Sequence, residues 1–155
     1  MLTKNKQTKA KKAGGRFVIV ASKYNARYVN SMLSAAKAEL AAAGADVVRA
    51  IRVPGAYEIP VVAGALSRES EKPWSAIICL GVILRGATTH AQHIGESVSN
   101  ALAEAQVYYG VPIVHEVLLL EDEQQAKARC LNKDFNRGNE AARTALEMAR
   151  VMRSL

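Results

Sequence analysis

The sequence contains few aromatic residues, two cysteines and no long apolar run. Aromatic residues make up 5% of its 155 positions, although half of all residues are hydrophobic, a balance that favours helices packed on a sheet over a β-sandwich. The number and spacing of Cys79 and Cys130 fit neither a disulfide framework nor a zinc site, so we expect a reducing cytoplasm as the compartment. Because no run of about 18 apolar residues occurs, we expect no membrane span.

Acidic residues are missing from positions 1–16, which carry six basic side chains. Positions 17–155 carry 15 basic and 14 acidic side chains, so almost all of the net charge of +7 belongs to the first segment. We predict a disordered basic tail at residues 1–15 and a single domain at residues 16–155. Contact between the tail and nucleic acid or another polyanion is the alternative. The tail has no apolar h-region, which argues against a secretory signal.

Hydrophobic periodicity divides the predicted domain into alternating strands and helices. Apolar and β-branched runs predict strands at residues 16–21, 47–53, 76–84 and 111–120. Apolar residues spaced by three and four predict a helix that Gly44 ends, followed by helices at 58–70, 90–109, 121–129 and 138–154. This alternation predicts a three-layer α/β/α fold, in which a four-stranded parallel sheet carries helices on both faces.

Polar and aromatic side chains follow the predicted strands where the strands end. Ligands of open α/β sheets bind beyond the carboxyl ends of the strands. There, Tyr24 offers a flat face and Asn25 an amide, a pair that suits stacking on a heterocycle and reading its edge. Loop packing with an N-cap by Asn25 is the alternative. Glu58 follows the second strand, where its carboxylate either compensates a helix dipole or accepts hydrogen bonds from ligand hydroxyls.

The segment at residues 81–90, GVILRGATTH, joins the third strand to the first turn of a helix. Helix N-termini attract anions, and Gly86 and Ala87 let a ligand approach the backbone closely. Thr88 or Thr89 can cap the helix or hold a phosphate oxygen. Neither a Walker lysine nor a G-x-G-x-x-G motif is present, so a single phosphate on a small molecule is the favoured ligand.

Histidine and basic side chains supply reactive and charged groups near these strand ends. The positive end of the helix dipole disfavours an imidazolium at His90, so we expect a neutral ring that accepts a proton. His93, one turn further, is interpreted as a packing or exposed residue. Arg129, Lys133 and Arg137 follow the fourth strand, and a solvated helix face is the alternative to phosphate binding for this group.

Three ordered segments of the chain resemble the lumazine synthase family: VPGAYEIP at residues 53–60, GVILRGATTH at 81–90 and NRGNEAA at 136–142. The match runs from about residue 16 to residue 155, at the family's spacing. It implies a flavodoxin-like fold and a transferase of riboflavin biosynthesis, 6,7-dimethyl-8-ribityllumazine synthase. The implied reaction condenses 5-amino-6-(D-ribitylamino)uracil with 3,4-dihydroxy-2-butanone 4-phosphate to 6,7-dimethyl-8-ribityllumazine, phosphate and water, without a metal or an organic cofactor.

The resemblance implies a binding site for the pyrimidine and its ribityl chain. Tyr24 is implied to stack on the pyrimidine, with Asn25 as its polar neighbour. The turn at residues 56–58 is implied to hold the ribityl chain, and the strand end at residues 82–84 to contact the uracil edge. The residues concerned are Tyr24, Asn25, Ala56, Tyr57, Glu58, Val82, Ile83 and Leu84.

The resemblance implies that the keto-phosphate binds at the loop before the third helix. Gly86, Ala87 and Thr88 resemble the phosphate loop, and His90 resembles the proton-transfer residue. The family further implies a homopentamer whose active sites lie between adjacent subunits, and a functional link to riboflavin synthase.

Three residues are implied to reach that shared site from the neighbouring subunit. Arg129 resembles the arginine that binds phosphate, and Arg137 resembles the basic residue near the pyrimidine. His115 stands where the family usually has a phenylalanine that lines the pocket. A histidine can still stack on the pyrimidine, but it adds a second titrating group to the site.

Other departures from the family pattern concern assembly. Residues 134–135 replace the usual small residues of a loop that helps pentamers associate, and the N-terminus lacks an apolar alternating stretch. A pentamer alone and an icosahedral shell of pentamers therefore both stay open. The alternative to an enzyme is a non-catalytic flavodoxin-like protein that binds a phosphorylated ligand or forms a shell. Such a protein would need no base, so His90 and Arg129 distinguish the two hypotheses.

Overall fold

Four strands and five helices alternate along the part of the chain that the computed structural model describes, which is residues 12–155 with Leu2 and Lys4. The strands are β1 (Arg16–Ser22), β2 (Val47–Val53), β3 (Ala76–Leu84) and β4 (Ile113–Leu120). The helices are α1 (Ala26–Ala42), α2 (Ile59–Ser67), α3 (His90–Tyr109), α4 (Glu123–Cys130) and α5 (Arg137–Arg153). Most of the predicted basic tail, at residues 1, 3 and 5–11, lies outside the described residues.

The four strands form one sheet of order β2-β1-β3-β4 in which every pairing is parallel. The central strands β1 and β3 are buried along almost their whole length, as their continuous apolar sequences require. This strand order belongs to doubly wound sheets of the flavodoxin type, whose topological switch point lies between β1 and β3. The predicted parallel sheet with helices on both faces is therefore confirmed.

Two apolar cores lie on opposite faces of the sheet. Phe17 and Ile19 of β1 belong to the core that α1, α4 and α5 cover, whereas Val18 and Val20 belong to the core that α2 and α3 cover. This division follows from the alternation of side chains along a strand. No helix of the described residues is long and apolar enough to cross a membrane.

Three predicted elements have a boundary that was wrong by two or three residues, and local chemistry explains two of these differences. Strand β4 begins at Ile113 because Pro112 has no N–H to donate to the ladder. Helix α4 begins at Glu123 because Asp122 caps it, accepting a 2.8 Å hydrogen bond from the backbone N–H of Gln125. The second helix begins as a single 3-10 turn, Ala56–Glu58, and its α-helical part ends at Ser67.

Helix α5 is anchored on α1 by the start of the NRGNEAA segment. The Asn136 amide donates to the carbonyl oxygen of Cys130 over 2.8 Å and to the Ser31 hydroxyl over 3.1 Å. Its side-chain oxygen accepts from the backbone N–H of Gly138 over 2.8 Å. A Cβ atom at Gly138 would overlap the backbone carbonyl of Met32, so only glycine allows the two helices to approach this closely.

Replacing Gly138 with alanine tests this contact. The added methyl group meets backbone atoms of Met32, which cannot move aside as the end of a flexible side chain would. We expect Gly138→Ala to lower the free energy of unfolding by about 3 kcal/mol, towards the upper end of the range for overpacked cores. Urea denaturation at one fixed protein concentration measures the change.

The matched control is Gly64→Ala in α2, because a Cβ atom there meets nothing within 4 Å. Alanine is the better helix former by about 1 kcal/mol, so this variant should be at least as stable as the wild type. Equal losses of stability in the two variants would contradict the role assigned to Gly138.

Candidate active site

A cleft of about 440 Å³ opens beside the carboxyl ends of β1 and β2, between the Ala56–Glu58 turn and α3. Three segments line it, each of which follows a strand: the loop after β1, the turn after β2 and one face of α3. The lining residues are Tyr24, Gly55, Ala56, Tyr57, Glu58, His90, His93, Ile94 and Ser97. The structure thus brings together five residues that the sequence predicted for the site: Tyr24, Ala56, Tyr57, Glu58 and His90.

Gly55 is required at the cleft because of space rather than because of its backbone conformation. Its φ of −132° and ψ of 179° are open to any residue. A Cβ atom at Gly55 would lie 2.8 Å from the ring of Tyr24. The tyrosine ring therefore rests against the backbone of Gly55, and its 68% exposed side chain leaves the outer face open to a ligand.

Glu58 fixes the turn that forms one wall of the cleft. One of its carboxylate oxygens accepts a 2.9 Å hydrogen bond from the backbone N–H of Gly55. This bond supports a structural role for Glu58 at the start of the second helix. The same side chain lines the cleft. Glu58 therefore lies where it can also contact a ligand.

Asn25 connects the loop after β1 to the end of β3. The side-chain N-cap that was the alternative role of Asn25 is not formed: Asn25 occupies the N-cap position of α1 but makes no capping hydrogen bond with its side chain. Its amide instead donates to the carbonyl oxygen of Val82 over 2.7 Å. The residue adopts a left-handed conformation with a φ of 57°, which asparagine tolerates better than most residues. This hydrogen bond lies beyond Ala21 and Leu80, where β1 and β3 stop pairing with each other.

The end of β3 presents its side chains to both cores. Val82 is buried in the core under α1, α4 and α5, and Leu84 packs against the same core, whereas Ile83 belongs to the core under α2 and α3. None of the three lines the cleft. Contact between this strand end and a ligand would therefore involve backbone groups beside the Asn25 bond.

The loop at residues 85–89 is exposed and leads directly into α3 at His90. Thr89 occupies the N-cap position without a side-chain capping bond, while the Thr88 hydroxyl accepts from the backbone N–H of His90 over 3.3 Å. A Cβ atom at Gly86 would meet nothing within 4 Å, so the space above that residue is open. Arg85 turns away towards β4, where its Nε donates to Glu121 over 3.0 Å.

Helix α3 contributes more of the cleft than we predicted. His90, His93, Ile94 and Ser97 line it together, and their spacing of three, four and seven residues places them on one helix face. The sequence contained a signal for these residues, because a predicted site residue on a helix shares its face with the residues three, four and seven positions later. His93 is exposed, as one of its interpretations held, and its Nε2 lies 3.3 Å from the Thr89 hydroxyl.

Three residues expected at the site do not line the cleft: His115, Arg129 and Arg137. Arg129 is on α4, which packs against α1, α5 and β4, on the face of the sheet opposite α3. His115 is on β4, the edge strand furthest from β2. One copy of the chain therefore does not bring these residues to its own cleft.

Arg137 is held in an ion-pair network on the α5 side of the sheet. Its guanidinium binds both carboxylate oxygens of Glu116, over 2.9 and 3.1 Å, and a carboxylate oxygen of Glu140 over 2.9 Å. Burial raises the pKa of Glu116, and the hydrogen bonds and charge of Arg137 oppose that rise. The network thus gives a buried carboxylate of β4 a cationic partner.

His115 uses both of its ring nitrogens within its own chain. Its Nε2 lies 2.8 Å from the hydroxyl of Ser99 on α3, and its Nδ1 accepts from the backbone N–H of Val117 over 3.1 Å. Burial lowers the pKa of the imidazole. Across the part of the chain that the structure describes, no three histidine, cysteine or acidic side chains are grouped as metal ligands would be.

The fold and the cleft together define the class of protein, a doubly wound α/β protein with a small-molecule site. A doubly wound parallel sheet carries, beyond the carboxyl ends of its strands, an open cleft with an aromatic face, a carboxylate and histidines. This is the usual place for a small-molecule site in such a sheet.

Comparison with known proteins identifies the family within that class. A family model described as 6,7-dimethyl-8-ribityllumazine synthase matches residues 14–153, and the chain belongs to the 6,7-dimethyl-8-ribityllumazine synthase family. Proteins of that name from Xanthomonas campestris pv. campestris strain B100 and Xanthomonas oryzae pv. oryzae strain PXO99A are 37% and 38% identical to it, each over 90% of this chain and 91% of the relative. The protein of that name from Xylella fastidiosa strain M12 is 38% identical, over 92% and 93%.

The relatives are aligned over nearly their whole length, so the resemblance seen in the three sequence segments extends through the domain. The predicted family and the predicted enzyme class, a transferase of the lumazine synthase type, are confirmed. A solved structure of a de novo designed Rossmann fold protein aligns with 72% of this chain at 15% identity and a TM-score of 0.41, which is too distant to support any argument.

Removing the arginine of the buried network tests its energetic role. Arg137→Ala leaves Glu116 buried without its main partner, and we expect a loss of about 2 kcal/mol near pH 7, less than for a fully buried pair because Arg137 is partly exposed. The pKa of Glu116 should then rise further, so the folded state binds a proton more tightly than the unfolded state. Stability of the variant should therefore recover as the pH falls through that raised pKa.

Urea denaturation between pH 4.5 and 8 measures this recovery relative to the wild type. The matched control is Arg150→Ala, whose partner Glu147 is exposed, so its loss should not be measurable at any of these pH values. A loss in Arg137→Ala that is the same at every pH would show that Glu116 carries no uncompensated charge.

Proposed function

We propose that the chain condenses 5-amino-6-(D-ribitylamino)uracil with 3,4-dihydroxy-2-butanone 4-phosphate at the cleft between the Ala56–Glu58 turn and α3. The observation that carries this proposal is the convergence of Tyr24, Glu58 and His90, from three different strand ends, on one open cleft. An aromatic face, a hydrogen-bond acceptor and a base are the groups that binding and condensing these two substrates require.

The pyrimidine would stack on the open face of Tyr24, whose other face rests against Gly55. Because Gly55 has no side chain, one face of the ring can lie against its backbone while the opposite face stays available to the ligand. The ribityl hydroxyls would lie along the turn at Ala56–Glu58, within reach of the Glu58 carboxylate. Asn25, which holds Val82, would keep the strand end in place for the uracil edge.

The keto-phosphate would bind at the exposed loop of Gly86, Ala87 and Thr88, where the N-terminus of α3 favours a negative charge. The open space above Gly86 admits a phosphate close to the backbone. His90, the first residue of α3, would lie between this phosphate and the pyrimidine. Imine formation, loss of phosphate and ring closure each move protons and include no redox step, so positioning and one proton-transfer group account for the chemistry.

A second copy of the chain would complete the site. Arg129 and His115 lie away from the cleft of their own chain, and the residues that line the cleft include neither a lysine nor an arginine to meet a dianionic phosphate. Large apolar side chains are also exposed on α2 and α3, where Val61 is 73%, Val107 82% and Tyr108 82% exposed, which is typical of a surface that another chain covers. We propose a homopentamer in the cytoplasm, in which Arg129 and Arg137 reach the neighbouring cleft, with further assembly into an icosahedral shell and a functional link to riboflavin synthase.

Mixing the purified protein with the two substrates tests the proposed reaction. We expect fluorescent lumazine to form well above the uncatalysed background. His90→Ala should lower kcat by about 10-fold, because proton transfer is one contribution among several. Product at the background rate, from protein shown to be folded and oligomeric, would contradict the proposed reaction and leave a non-catalytic binding or shell-forming protein.

Arg129→Ala tests the proposed phosphate contact. Losing one charge-assisted hydrogen bond should raise KM for the keto-phosphate by about 10-fold or more while KM for the pyrimidine stays close to the wild-type value. Lys133→Ala is the matched control, since Lys133 is an exposed basic residue a few positions away. Parallel increases of KM in the two variants would show that overall charge, rather than Arg129 itself, attracts the phosphate.

A further inference from the structure

The pair formed by His115 and Ser99 has a defined proton arrangement. A backbone N–H is only a donor, so the 3.1 Å contact from Val117 requires a bare Nδ1 on His115. The neutral ring then carries its proton on Nε2 and donates it to the Ser99 hydroxyl over 2.8 Å. This arrangement excludes Ser99 as a nucleophile activated by His115, because the nitrogen that faces the serine already holds a proton.

One acidic and one basic side chain lie near the pair. On α3, Glu96 lies beside the same hollow as Ser99, and Arg85 lines that hollow from the loop after β3. Cys79, the register partner of His115 on β3, remains a neutral thiol because burial raises its pKa to about 12. Glu116, the next residue on β4, is engaged with Arg137 on the other face of the sheet. Burial is the largest influence on the His115 pKa and lowers it, against a hydrogen bond between the ring and its own backbone, which raises it.

Protonation of His115 would disrupt the pair on the β4 side. A proton on Nδ1 would face the N–H of Val117, so two donors would meet and the 3.1 Å bond would be lost. Without Ser99, the Nε2–H would lose its acceptor and the ring would be free to turn about its χ2 angle. The two bonds together therefore fix the charge, the tautomer and the plane of the ring.

We propose that Ser99 is a positioning residue of the active site, which holds His115 as a neutral, Nε2-protonated ring in one plane. The neighbouring cleft would then meet a flat, uncharged aromatic face. This inference rests on the proposed function, in which His115 lines the cleft of an adjacent copy. It goes beyond that function because it assigns a role to Ser99 and a protonation state to His115.

The test combines nitrogen-15 NMR of histidine-labelled oligomer with steady-state kinetics of the same samples. In the wild type, the His115 resonances should show a proton on Nε2 and none on Nδ1 at pH 7.5. Ser99→Ala should keep a bare Nδ1, because the Val117 N–H remains, but it should shift the Nε2 resonance as the bond that holds the ring plane is lost. The same variant should raise KM for the pyrimidine roughly fivefold, the scale of one lost hydrogen bond, with kcat close to the wild-type value. Ser99→Thr, which keeps the hydroxyl, should restore both the Nε2 resonance and KM.

Either readout can overturn the inference. A wild-type ring protonated on Nδ1 contradicts it, as does a Ser99→Ala variant that keeps the wild-type Nε2 resonance or the wild-type KM for the pyrimidine. Absence of turnover by the wild type would contradict the proposed function instead. The NMR spectrum does not depend on activity, so it would still test the protonation state of His115 in that case.

Discussion

The parallel pairing of β1 with β3 is the constraint on which the rest of the structure depends. Both strands are buried from two sides, so their positions follow from the apolar residues that face the two cores. Their pairing ends at Ala21 and Leu80, and the Asn25 amide continues the connection to Val82. Because the chain leaves these strands at the same edge of the sheet, Tyr24 and His90 enter one cleft although they are far apart in sequence.

The same constraint separates the remaining site residues from that cleft. Helices that follow β1 and β4 cover one face of the sheet, and helices that follow β2 and β3 cover the other. Arg129 on α4 therefore lies on the opposite layer from His90 on α3. A chain of this topology has its cleft at the carboxyl edge of the sheet and carries the residues proposed to complete the site on its other surfaces, which makes association between copies part of the proposed mechanism.

Much of this arrangement could be predicted from the sequence because strong local signals agree with the final fold. Strands β2 and β3 and helix α3 have the predicted bounds, since uninterrupted apolar runs and a capping glycine mark them. The convergence of Tyr24, Glu58 and His90 followed from a general property of parallel sheets. The family followed from three short segments whose order and spacing are specific.

Features that depend on contacts between distant residues could not be predicted in the same way. The pair of Arg137 with Glu116 joins two elements that are separated by helix α4, and nothing local to either residue specifies the partner. Gly138 is needed because of one backbone atom on α1, and Gly55 because of one ring after β1. Hydrophobic periodicity predicts which face of a helix or strand a residue lies on. The atoms that the residue contacts there depend on how the helices and strands pack.

The central claim is that two copies of the chain share each active site, and mixed oligomers test it most directly. A His90→Ala chain and an Arg129→Ala chain, unfolded, mixed in equal amounts and refolded, should form oligomers in which about a quarter of the sites contain both native residues, because each site draws one residue from each of two adjacent copies. At keto-phosphate concentrations well below KM, where each variant alone keeps about a tenth of the wild-type rate, we predict that the mixed oligomers reach about a quarter of the wild-type rate. Activity equal to the mean of the two separate variants would contradict the shared site.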